Sequence, residues 1–85
     1  MCTMIVERAK ISGSGKGPNG WFRLSQINVS YDHPFHAPLD HALNIDFVNQ
    51  SEDPSARIAV ELSRESAVQL IQTITTALER AIEIE

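Results

Sequence analysis

Ala56-Arg57-Ile58-Ala59-Val60-Glu61-Leu62-Ser63-Arg64-Glu65-Ser66-Ala67-Val68-Gln69-Leu70-Ile71 changes its hydrophobic period in the middle. Up to Leu62 the apolar residues alternate, with Ile58, Val60 and Leu62 on one side and Arg57 and Glu61 on the other, the pattern of a half-buried strand. After Ser63 the period becomes that of a helix. Ala67, Leu70, Ile71, Ile74, Leu78, Ala81 and Ile82 form one apolar stripe running to about Ile82. Ser63 is a good N-cap, and Glu65 in the first turn suits the positive end of the helix dipole. Thr73, Thr75 and Thr76 lower local helix propensity without breaking the stripe.

Upstream, His41–Asn49 alternates in the same way, with Leu43, Ile45 and Phe47 opposite Asn44 and Asp46. Ser51-Glu52-Asp53-Pro54 reads as the turn that joins it to Ala56–Leu62. Thr3–Ile11 is rich in β-branched residues and reads as a first strand. Ser12–Gly20 reads as the following turn, with Pro18-Asn19-Gly20 supplying a fixed φ and then a permissive residue. Trp21–Asp32 is the second strand. Its apolar parity shifts between Leu24 and Ile27, which predicts a β-bulge near Ser25-Gln26. The chain is therefore expected to be α+β: a single β-β-β-β-α domain over 1–85, a four-stranded antiparallel meander with one C-terminal helix packed on one face.

Composition bounds the function. An 85-residue chain has a small core, so metal binding or self-association is a natural supplement. Cys2 is the only cysteine, which rules out an internal disulfide. One thiol and the lack of a secretory signal predict a cytoplasmic protein. No apolar run is long enough to span a membrane. The formal charge is −4. The seven basic residues are scattered rather than striped, so no nucleic-acid partner is expected. Gly13-Ser14-Gly15-Lys16-Gly17 lacks the spacing of a phosphate loop and no helix follows it.

All three histidines, His33, His36 and His41, lie in the connection between the second and third strands, beside Asp32 and Asp40. Pro34 and Pro38 stiffen it. Counting residues around the expected turns brings Cys2, this loop and the helix N-terminus to one end of the sheet. A thiolate with imidazoles suits zinc or another divalent transition metal, so Cys2, His33, His36 and His41 are the candidate metal ligands. Removal of Met1 would add an α-amine beside the thiol. The H-x2-H-x4-H spacing matches no established metal motif, and a stiff structural surface loop is the more ordinary reading of it. No catalytic residue stands out. The uncovered sheet face and the two strand edges favour a homo-oligomer, most simply a two-fold dimer. Function thus has two readings: a small metal-binding protein, or a self-associating interaction module.

Met1-Cys2-Thr3, Gly13-Ser14-Gly15-Lys16-Gly17 with Gly20-Trp21-Phe22, and Tyr31-Asp32-His33-Pro34-Phe35-His36-Ala37-Pro38 through His41–Phe47 together resemble a family of short uncharacterised bacterial proteins. The resemblance extends over Arg57–Leu62. It implies a stand-alone soluble bacterial protein, assigns no activity and transfers no site residue.

Overall fold

A computed structural model describes the chain over residues 5–49 and 56–84. Its elements are β1 (Ile5–Gly17), β2 (Gly20–Asp32), β3 (Ala42–Val48), β4 (Arg57–Leu62) and α1 (Arg64–Ile84). The strands form one antiparallel sheet in the order β1-β2-β3-β4, the expected meander with one C-terminal helix. Directly opposed residues share a face. One face therefore carries Ile5, Tyr31, Leu43 and Leu62 in one row and Val29, Ile45 and Val60 in the next. The other carries Ser30, Asn44 and Glu61, with Asp46 opposite Ala59. Alternation in β2, β3 and β4 thus sorts the sheet into an apolar and a polar face.

The first hairpin differs from expectation. β1 runs on through the Gly/Ser stretch to Gly17, and the turn shrinks to Pro18-Asn19, with Gly20 at φ +113°. Lys16 opposes Trp21 and Ile5 opposes Tyr31. The bulge lies on β1 between Lys10 and Gly13, facing Gln26 and Leu24 on β2, beside the expected position but on the partner strand. The glycines serve close approach rather than turning. A Cβ on Gly15 would lie 2.7 Å from Ile58 Cδ1 and 3.2 Å from Leu24 Cδ2. The sheet curls there until β1 meets β4, and a side chain in that position would hold the two strands apart.

Ser63 caps α1 as expected. Its Oγ accepts the Ser66 N–H at 3.1 Å, and its carbonyl accepts the Ala67 N–H at 2.9 Å. The helix touches both β3 and β4. Ala67 is its one buried residue. Further along the same stripe Ile71 is 63% exposed, Ile74 50%, Leu78 63% and Ile82 75%. The expected packing on one face is carried by Ala67, while the large residues of the stripe from Ile71 onward stay half or more exposed. Leu24, Ala42, Ile45 and Ala67 are the buried apolar residues among those described, and no large side chain there is fully enclosed.

The consequence is an unusually large surface. A folded monomer of 9.4 kDa is expected to expose about 5,000 Å². This chain exposes 6856 Å². Its radius of gyration is 14.5 Å, against about 12 Å for a compact domain of this length.

Candidate functional site

Two features stand out at the end of the sheet where β2 passes into β3. They lie on opposite faces.

On the polar face, the connection 33–41 folds back over β4 and is held by one side chain. The Glu61 carboxylate accepts the backbone N–H of Phe35 (2.6 Å, Oε2), of Ala37 (2.9 Å, Oε1) and of His36 (3.1 Å, Oε1). These amides have no strand to pair with, and an acceptor is needed to satisfy them. The bond from Ala37, then that from Phe35, holds the Glu61 carboxyl below the usual carboxylate range; the His36 amide and the nearby His36 ring add to this, while partial burial opposes it. At the loop's base the Asp32 carboxylate accepts the His33 N–H at 2.7 Å. The His33 ring donates Nδ1–H to the Asp40 carbonyl at 2.7 Å. Arg57 pairs with Asp46 at 2.8 Å beneath the loop. The Phe35 side chain, 99% exposed, projects from the crest.

The histidines divide. His33 and His41 stack with ring centroids 5.0 Å apart, and His41 also stacks on Tyr31 at 5.8 Å. His36 sits apart on the crest, lining a groove with Phe35, Arg57, Ala59 and Glu61. Cys2 lies outside the described residues. Ile5 lies opposite Tyr31 near that end of the sheet, because the first hairpin turns later than expected. Among the described residues, no group of three or more His, Cys, Asp or Glu side chains could hold a metal ion. The helix N-terminus and the loop do converge at one end, since Leu62 pairs with Leu43 and Asp32 with Ala42.

Sequence reasoning placed Glu61 on the polar face without seeing its role. The available signal was three consecutive loop amides between two prolines, with no β partner in reach and a carboxylate on the nearest strand.

On the apolar face, a cleft of about 420 Å³ opens where the helix leaves the sheet. Ile5, Tyr31, Leu43, Ala67, Val68 and Ile71 line it, with Arg64 at its rim. It is continuous through Ile71 with the exposed stripe of Ile74, Leu78 and Ile82. Cleft and stripe thus form one extended apolar surface among the described residues, from the sheet end along the helix. Isolated exposed apolar residues are ordinary, but a contiguous apolar surface of this kind marks an interaction site.

Along its whole length, residues 1–85, the chain matches the model of DUF6295, a family of unknown function, and it belongs to that family. No curated protein and no solved structure matches it. Among the described residues, no helix is long and apolar enough to cross a membrane.

Proposed function

We propose that this protein is a self-associating interaction module whose hydrophobic core is completed by assembly. The observation that carries this reading is the uncovered helix. Four large aliphatic residues in register with the buried Ala67 lie half or more exposed. The surface in excess of a compact monomer, roughly 1,800 Å² per chain, is of the size that obligate homodimers bury. Two-fold pairing is the commonest way to bury such a surface without open-ended growth. At about 25 cal/mol per Å² of apolar surface, burying even a third of that excess would contribute a gross term of about 15 kcal/mol, comparable to the entire stability of a small domain, which favours the assembled state. Sedimentation equilibrium checks the reading: a dimer mass at about 10 μM is expected, in the nanomolar-to-low-micromolar range of typical specific complexes. A monomer mass at about 100 μM, still weaker than any such complex, would sink it.

The stacked His33 and His41 support a second reading, in which the loop binds zinc or another divalent transition metal. Donation of the His33 Nδ1–H to a backbone carbonyl is the orientation that metal-ligating histidines commonly adopt. His36 and Cys2 would have to complete the set. Elemental analysis of protein purified without added metal tests this. Stoichiometric metal that is lost as pH falls below about 6 is expected if imidazoles ligate it, and no metal would remove the reading.

A further inference from the structure

Resting on the self-association reading, we infer that the apolar cleft of one chain is filled by the distal half of the helix of a second copy. The exchange is reciprocal and the two helices run antiparallel.

The spacing of the stripe identifies a helical occupant. Ala67, Ile71, Ile74, Leu78 and Ala81 follow one another at alternating steps of four and three, the seam by which one helix packs along another. The flanking positions are also apolar or uncharged: Val68 and Ile82 on one side, Leu70 and Ala77 on the other, with Thr75 between. A stripe this wide exceeds what a single facing helix covers, since a two-helix seam needs only the central positions. It therefore needs a second wall. The cleft beside Ile71, walled by Ile5, Tyr31 and Leu43, is that wall, and it belongs to the sheet.

Direction follows from what each arrangement leaves bare. Parallel helices would cover one another's seams, but both clefts would stay open and both distal ends would lie beyond either sheet. Antiparallel helices place Leu78, Ala81 and Ile82 of one chain beside Ile71 and the cleft of the other, and the same contact recurs by symmetry. Leu78 and Ile82, 63% and 75% exposed, then fill apolar space that the sheet leaves open. The dipoles agree with this choice. Glu83 lies in a last turn that contains no basic residue, against its own helix dipole. Antiparallel pairing brings that end towards the partner's helix N-terminus, whereas parallel pairing would set two such ends together.

The test uses the full chain with Cys2→Ser as background. Ile5→Asp changes the cleft and Ile82→Asp changes the occupant. Both residues are exposed in the single chain, so neither change should disturb the fold, which circular dichroism verifies. Each is expected to raise the dimer dissociation constant about ten-fold or more, as loss of an interface anchor does. Separately, chains carrying Ile71→Cys and Ala81→Cys are mixed and oxidised, and the mixed disulfide is expected to dominate over either homodisulfide. If Ile82→Asp dissociates the dimer but Ile5→Asp does not, or if only homodisulfides form, the reciprocal antiparallel arrangement is overturned while self-association stands. If the dimer persists in both aspartate variants, the interface lies elsewhere and this inference fails alone. If the parent protein is monomeric, both fail. Should an aspartate variant not fold, the cross-linking decides by itself.

Discussion

The loop over 33–41 and the helix beyond Leu70 are both largely exposed, yet they are incomplete in opposite senses. The loop buries almost no apolar surface, but Glu61 satisfies the three amides at its crest. The helix satisfies its own backbone along its length, but its large aliphatic side chains from Ile71 onward remain half or more exposed. Exposure alone would class the two together. Their unmet requirements separate them. A polar segment whose hydrogen bonds are closed within the chain can stand in water as it is. An apolar stripe has lost nothing by being helical, but it keeps paying the hydration cost until another surface covers it. The amides at the loop's crest are thus satisfied within the chain, whereas the helix stripe, on the proposed reading, is half of an interface.

The largest effect that could break this comparison lies in the stripe. Ile74→Ala should cost about 2–4 kcal/mol per chain where the protein is assembled, the range for truncating a buried aliphatic residue. At concentrations low enough to separate the chains it should cost no more than about 0.5 kcal/mol, as for a surface position. The parent melting temperature should likewise rise with protein concentration. Thermal melts of parent and variant across a dilution series measure both. A cost that is large and independent of concentration would mean that the stripe packs within one chain, and the contrast with the loop would vanish.

Sequence reading separated these two regions only in part. The period change at Ser63 and the alternation of β3 and β4 were legible because each is a local pattern with one physical cause; the turn expected at Ser51-Glu52-Asp53-Pro54 lies outside the described residues. The hairpin was not. Glycine and serine over 12–17 have the composition of a turn, yet they form strand because Gly15 must pass within reach of Ile58, a residue more than forty positions away. The later turn shifts the pairing, so that Ile5 lies opposite Tyr31. Of the four candidate ligands, His33 and His41 stack together, and Cys2 lies outside the described residues. The helix was read correctly as a helix and incompletely as a surface. Periodicity shows that one face is apolar and is silent on which chain covers it.

A smaller effect sharpens the comparison at the junction of the two regions. Ser63 ends the sheet and starts the helix, and its Oγ accepts the Ser66 N–H at 3.1 Å. Ser63→Ala should cost about 1 kcal/mol, the usual value for a lost N-cap. Because the first turn carries Ala67, the buried residue of the helix, this loss should appear at every protein concentration, unlike that of Ile74→Ala. A cap penalty that disappeared on dilution would show that even the first turn depends on a partner.

The smallest effect on global stability, and the most local, belongs to Glu61. Its carboxyl is held below the usual carboxylate range chiefly by the Ala37 and Phe35 amides. A group whose pKa is depressed in the folded state contributes stability that is fully present above its unfolded pKa. That contribution is lost as pH falls through the lower folded value. The loop should therefore stay clamped down through the pH range where free carboxylates begin to protonate, and open only below it. Amide resonances of Phe35, His36 and Ala37 should shift together at that lower pH, while those of α1 do not follow. Glu61→Gln keeps one carbonyl acceptor but loses the charge and the second oxygen, so amide exchange at 35–37 should quicken at neutral pH with the dimer mass unchanged. Loss of the dimer on this substitution would mean that the loop, and not the helix alone, contributes to the interface. The separation between a closed polar segment and an open apolar one would then have to be given up.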